Sequence, residues 1–125
     1  MQGKKVILVV EDEPLIGMEL RESLTRQGFD VPEPIPSADL VFKSIEEHRP
    51  DLIIMDIKLQ SYTDGIDAAY RIRALSKVPI IFLTAYSNPE TRARAEGVHP
   101  VAFLNKPVSP ERLGSIVKEA LQSAG

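Results

Sequence analysis

Five times along this chain a short apolar run gives way to a longer segment of helical period, and no Gly/Ser-rich linker separates the units. That rhythm predicts an α/β domain. The runs at 6–10, 52–55, 80–83 and 101–104 are nearly unbroken in apolar character, as expected of central parallel strands covered on both faces. They are the predicted first, third, fourth and fifth strands. With 125 residues the chain has the size of one domain, so 1–125 is expected to be a single unit with no second, output domain.

Between the runs, Ala38, Val41, Phe42 and Ile45 fall at helical spacing, and Leu113, Ile116, Val117, Ala120 and Leu121 extend the same pattern. Ile16, Leu20 and Leu24 make a narrower stripe on the predicted first helix; Ala68, Ala69, Ile72 and Leu75 make one on the third. Start signals agree. Ser37 is placed to cap the second helix, and Asn88-Pro89 and Ser109-Pro110 each put a capping side chain before a proline at the first helical position. Gly28 is the predicted stop of the first helix.

The predicted second strand, 31–36, carries prolines at 32, 34 and 36. Alternate residues of a strand point their N–H groups to the same side, so these prolines delete donors along one side only, a loss that a free sheet edge tolerates. An outermost second strand fits the flavodoxin-like order 2-1-3-4-5. The expected fold is therefore a three-layer α/β/α sandwich, a five-stranded parallel sheet with five helices.

Composition narrows the function. The net charge of -3 lacks the basic footprint of a nucleic-acid binder, so direct nucleic-acid binding is not expected. Hydrophobic residues at 43% and charged ones at 26% match an ordinary soluble domain. The absence of cysteine excludes disulfides, thiolate catalysis and Cys-rich zinc sites, and makes a reducing, cytoplasmic location the simplest expectation. The apolar run after Lys4-Lys5 is too short for a signal peptide and is followed at once by Glu11-Asp12-Glu13. No stretch approaches the roughly 18 to 20 apolar residues of a transmembrane helix, so no membrane role is expected.

In an open α/β sheet, ligands bind beyond the C-terminal strand ends. Here those ends carry Glu11 and Asp12 after the first strand, Asp56 after the third, Thr84 at the fourth and Lys106 after the fifth. Three carboxylates brought together repel one another unless a cation intervenes, and a hard divalent ion such as Mg²⁺ suits an all-oxygen pocket. Asp56, at the tip of the middle strand, is the natural nucleophile for a phosphoryl group. Thr84 and Lys106 are placed to hydrogen-bond and neutralise its oxygens. Two of the three net negative charges of the chain lie among these four charged residues.

The stretches that carry these residues are Ile7-Leu8-Val9-Val10-Glu11-Asp12-Glu13-Pro14, Pro50-Asp51-Leu52-Ile53-Ile54-Met55-Asp56-Ile57, Asp64-Gly65, Pro79-Ile80-Ile81-Phe82-Leu83-Thr84-Ala85-Tyr86 and Leu104-Asn105-Lys106-Pro107. In combination they resemble the receiver domains of two-component response regulators over almost the whole chain. The resemblance implies a phosphorylation-dependent signalling switch. Asp56 would accept a phosphoryl group from a phosphohistidine on a sensor histidine kinase or histidine phosphotransfer protein. Glu11, Asp12, Asp56 and the backbone carbonyl of Lys58 would bind Mg²⁺ directly or through water. Thr84 and Lys106 would assist the transfer, Thr84 and Phe103 would take the family's switch roles, and the Lys106–Pro107 bond would be cis. It also implies a downstream protein target met through the fourth helix, fifth strand and fifth helix, and a protein that catalyses only its own phosphorylation and dephosphorylation. Either a stand-alone regulator or a receiver module of a larger response regulator or hybrid sensor kinase fits.

Other classes fit less well. A phosphatase of the haloacid dehalogenase type also combines Asp, Thr, Lys and Mg²⁺, but places its nucleophile in an Asp-x-Asp pattern that neither Glu11-Asp12-Glu13 nor Asp56-Ile57-Lys58 matches. A flavin- or nucleotide-binding domain would need a Gly-rich phosphate loop after the first strand, which is absent. A receiver-like module that binds partners without phosphorylation is opposed by the complete acid set. His48 and His99 have no metal-like pattern of partners, and Arg71, Arg73, Arg92 and Arg94 are read as solvated helix faces.

The chain also departs from the receiver pattern. Gln60 stands where the family has a proline four residues after the phosphoacceptor, and the loop to Gly65 is about one residue longer. The predicted fourth helix, 89–96, is short and weakly amphipathic. Lys58 and Tyr86, two residues after Asp56 and Thr84, are expected to flank the phosphoryl group, with Tyr86 hindering the water that hydrolyses it. Tyr86→Ala should then shorten the phosphorylated lifetime; an unchanged dephosphorylation rate rules the shielding out.

Overall fold

The computed structural model describes residues 3–59, 63–85 and 87–124. Gln60 and Tyr86 lie outside them. Four parallel strands, β1 (Ile7–Val10), β2 (Leu52–Met55), β3 (Ile80–Thr84) and β4 (Ala102–Asn105), form one sheet in the order β1-β2-β3-β4. Five helices accompany them: α1 (Pro14–Arg26), α2 (Val41–His48, entered through a 3-10 turn at Ala38–Leu40), α3 (Gly65–Leu75), α4 (Pro89–Glu96) and α5 (Pro110–Ala124).

Strand alternation sorts the core into two layers. Leu8, Val10, Ile53, Met55, Ile80 and Phe82 face α2 and α3, where Val41, Ile66, Ala69 and Ile72 meet them. Ile7, Val9, Leu52, Ile54, Ile81, Leu83 and Leu104 face the other way, against Leu24 of α1 and Leu113 and Val117 of α5. Both faces of the sheet are thus covered, which is why its strands are apolar throughout. Leu75 does not join the core as its helical spacing predicts: it ends α3 and is 81% exposed.

The predicted second strand, 31–36, is not a strand, so the sheet has four strands rather than five in the order 2-1-3-4-5. Its segment does run parallel along the outer edge of β1, the position predicted for it, but bridges only at Asp30 opposite Val6 and Ile35 opposite Val10. The proline pattern explains the interruption and corrects the reading of it. Asp30 exchanges hydrogen bonds with β1, donating to Lys5 and accepting from Ile7, both at 2.9 Å. Counted from Asp30, the next β1-facing positions are 32 and 34, both prolines without an N–H. Their missing donors face the sheet rather than the free side. The chain answers with one extra residue: five steps from Asp30 to Ile35 cover four steps of β1. Ile35 then pairs normally, its N–H donating to Val9 at 3.0 Å and its carbonyl accepting from Glu11 at 2.9 Å.

Helix ends follow the sequence with one exception. Asn88 accepts from the Thr91 N–H at 2.8 Å, Ser109 accepts from the Arg112 N–H at 3.1 Å, and Gly28 takes a positive φ of 101° just beyond α1. Ser37 makes no side-chain cap. Asp64, unremarked as a cap in the sequence, starts α3 by accepting from the Asp67 N–H at 2.9 Å.

Arg73 is no solvated helix residue either. Its guanidinium donates to the carbonyls of Val98 at 2.9 Å, Val78 at 2.7 Å and Ser76 at 3.3 Å, tying the end of α3 to the approaches of β3 and β4. Replacing it leaves three carbonyls without this donor. Arg73→Met should cost about 2–3 kcal/mol in urea denaturation, with Arg73→Lys recovering only part, because an ammonium cannot reproduce the fork.

Candidate phosphoacceptor and metal site

Parallel strands in register end together, and the residues that follow them converge. Val10 pairs with Met55, Met55 with Phe82, and Thr84 with Asn105. The next residues are fixed by the same ladder: the Asp56 N–H donates to Val10 at 2.9 Å, and the Lys106 N–H to Thr84 at 2.9 Å. Glu11, Asp56 and Thr84 are buried, Asp12 and Lys106 partly so.

The three acids predicted to cluster do so. Glu11, Asp12 and Asp56 each offer a carboxylate oxygen, all within 4.8 Å of one another. The Lys106 ammonium lies between two of them, donating to Glu11 Oε1 at 2.6 Å and Asp56 Oδ2 at 2.8 Å. Main-chain donors complete the shell, Ile57 to Asp56 Oδ1 at 2.7 Å and Glu13 to Glu11 Oε2 at 3.1 Å. Among the described residues no buried side-chain polar atom lacks a partner.

Burial pushes the Glu11 carboxyl above its ordinary pKa, with the Asp56 charge adding to the rise, while the hydrogen bonds from Lys106 and Glu13 work against it. Burial also disfavours the charged form of Lys106. Its hydrogen bonds to Asp56 and Glu11, together with their charges, outweigh that penalty and raise its pKa above the ordinary lysine value. The pairing of Lys106 therefore stabilises the fold fully below the unfolded lysine pKa and is lost as pH rises through the higher folded value.

The donor set decides what cation fits. Carboxylate oxygens alone, with no imidazole or thiolate among them, suit a hard ion of the Mg²⁺ kind rather than zinc or copper. Glu11, Asp12 and Asp56 could hold it.

Gly65 belongs to the site by shape, which its place among the receiver-like stretches of the sequence does not explain. A Cβ there would overlap the backbone carbonyl oxygen of Asp56, and the Gly65 N–H donates to Ile57 at 2.6 Å. Only a glycine lets α3 begin this close to the Asp56 main chain.

The remaining predicted residues divide. Lys58 is exposed in the segment after Asp56, and Tyr86 lies outside the described residues. Phe103 is half-buried on β4, paired with Phe82 at 6.1 Å between ring centroids, and covered by the Arg92 guanidinium 4.6 Å from its ring centre. The Lys106–Pro107 bond is cis, as the resemblance implies.

A doubly covered parallel sheet with an acid cluster and an ammonium at its C-terminal edge defines an α/β domain with a charged site at its strand ends. The response regulator receiver domain family matches residues 7–118, and the chain belongs to that family. It is 39% identical over 103 residues to transcriptional regulatory protein PdtaR of Mycobacterium tuberculosis, covering 82% of this chain and 50% of that protein. With phyllosphere-induced regulator PhyR of Methylorubrum extorquens it shares 34% identity over 116 residues, 92% of this chain and 43% of that one. The chain spans about half the length of these relatives. Among solved structures, the receiver domain of a modulated diguanylate cyclase from Desulfovibrio desulfuricans superposes with a TM-score of 0.89 at 32% identity, covering 96% of this chain and 95% of that one. A CheY-like receiver domain protein from Methanospirillum hungatei gives 0.91 at 26% identity, covering 97% and 96%. Receiver domains of this family are phosphorylated by histidine kinases and act on downstream effectors.

Lys106→Met tests the electrostatics. In metal-free protein near pH 7 it should cost about 2–4 kcal/mol, because two buried carboxylates lose their shared cation. The loss should shrink as pH falls and Glu11, whose pKa is already raised, takes up a proton. Urea denaturation at several pH values checks both; a pH-independent loss contradicts this account.

Proposed function

We propose that this chain is a phosphorylation-dependent switch whose acceptor is Asp56. The observation that carries the reading is the Lys106 ammonium shared between Glu11 and Asp56, with Asp12 close enough to complete an oxygen cage. One carboxylate is thereby held against a cation on one side and a metal-binding pocket on the other.

In the proposed transfer, an Asp56 oxygen attacks the phosphorus of a phosphohistidine. The new bond is O–P, the broken one is N–P, and the leaving imidazole keeps the electron pair. Mg²⁺, held by Glu11, Asp12, Asp56 and the Lys58 carbonyl, would supply charge neutralisation on the phosphoryl oxygens. Lys106 keeps Asp56 oriented and offers its charge to the product. Thr84, buried at the end of β3, is the hydroxyl assigned to the phosphoryl group, with Phe103 as the aromatic that follows its movement. Lys58, exposed just after Asp56, flanks the group. The chemistry is confined to the protein's own Asp56, its formation and hydrolysis.

The donor in this proposal is a sensor histidine kinase or histidine phosphotransfer protein, and the site of action is the cytoplasm. Among the described residues no helix is long and apolar enough to cross a membrane. Residues 1–125 act as a single receiver unit that addresses a protein target through α4, β4 and α5, without binding nucleic acid itself. Similarity to transcriptional regulatory protein PdtaR supports control of gene expression as the output.

Incubation with Mg²⁺ and a small phosphodonor should add one phosphoryl group to the intact mass, and Asp56→Asn should abolish the gain. Absence of labelling in the wild type, with Mg²⁺ binding intact, overturns the reading.

A further inference from the structure

α4 is held in an unusual way for a helix of an α/β domain. Of its eight residues only Ala95 is buried, so apolar packing contributes little to its position. Polar ties to α3 take its place. The Arg94 guanidinium meets Asp64 at 3.0 and 3.4 Å and Asp67 at 3.2 Å, and the Tyr70 hydroxyl donates to the Arg94 carbonyl at 3.2 Å.

Asp64 is not an ordinary surface acid. It caps α3 and immediately precedes Gly65, which rests without slack on the Asp56 carbonyl and donates to Ile57. A continuous path of contacts runs from the Asp56 main chain through Gly65 and Asp64 to Arg94. It is separate from the assigned Thr84 and Phe103 route, although the two converge on α4, where Arg92 covers the Phe103 ring.

We propose that Arg94 is a positioning residue that latches α4 to the phosphoacceptor site, so that occupation of the Asp56 pocket is read out as a change in how α4 is held. The proposal rests on Asp56 being the phosphoacceptor and adds the element by which its state leaves the site. Partial exposure of the pair, 47% for Arg94 and 30% for Asp64, suits a latch. Exposed ion pairs are individually weak and screened by salt, so this one can open and close without disturbing the core. By linkage, a latch that responds to the site must also tune it, and a coupling limited to what an exposed ion pair contributes amounts to about a two- to fivefold effect.

Hydrogen exchange on the whole chain tests this, with Mg²⁺ and beryllofluoride as the phosphoryl mimic. In the wild type the mimic should change exchange of the amides of residues 89–98 about two- to fivefold. Arg94→Ala should abolish that change while leaving the response of residues 56–59 intact; Arg94→Lys should restore part of it, and high salt should suppress it in the wild type. A response of α4 in Arg94→Ala as large as in the wild type overturns the latch, including the case where α4 is merely looser in both states. So does a wild type that binds the mimic without any change in α4. If the wild type binds no mimic at all, the phosphoacceptor reading itself fails and the latch falls with it.

Discussion

The ammonium of Lys106, held between the buried carboxylates of Glu11 and Asp56, is the interaction around which the rest is arranged. Two buried acids and a third within reach would not coexist as anions in an apolar setting without it. The sheet creates this problem and solves it in one step. Parallel register brings the ends of β1 and β2 side by side and lands the residue after β4 against Thr84, so the cation arrives at the same edge as the acids. The fold thus holds the Asp56 carboxylate against an ammonium at low exposure, the arrangement that the proposed group transfer needs.

Much of this was legible in the sequence because it depends on period and position. Unbroken apolar runs located all four strands, and the residues after them named the site before any distance was known. The second-strand region shows where that logic stops. Proline parity pointed to the outer edge, where the segment does run, but put the missing donors on the free side; the phase of the pairing is set at Asp30, and no local pattern reveals which side of a segment will face its neighbour. The extra residue between Asp30 and Ile35 follows from that phase.

The contacts of the arginines and of Gly65 were not legible for a different reason. Their roles depend on what lies opposite them across a long sequence separation: Arg73 meets Val98, Arg94 meets Asp64, and Gly65 meets Asp56. Helical spacing places Arg92 and Arg94 on a polar helix and says nothing more. An arginine with three carbonyls in reach and one on a lysine-like solvated face have the same sequence signature, which is why polar ties between helices are the least readable part of a fold of this kind.

The bridge at Ile35 bears on how such a chain tolerates change. Ile35 accepts the Glu11 N–H, so the backbone of the first site acid is fixed from outside the sheet by a segment with no chemistry of its own. What that segment must preserve is a count rather than an identity. Apart from Val31, which is buried in the core, side chains between the two bridges can vary as long as Asp30 and Ile35 stay five residues apart. Gaining or losing a single residue there would turn the wrong side of the chain toward β1 and release the strand end that carries Glu11. For this edge, insertions and deletions are the hazardous class of change, and substitutions the permissive one.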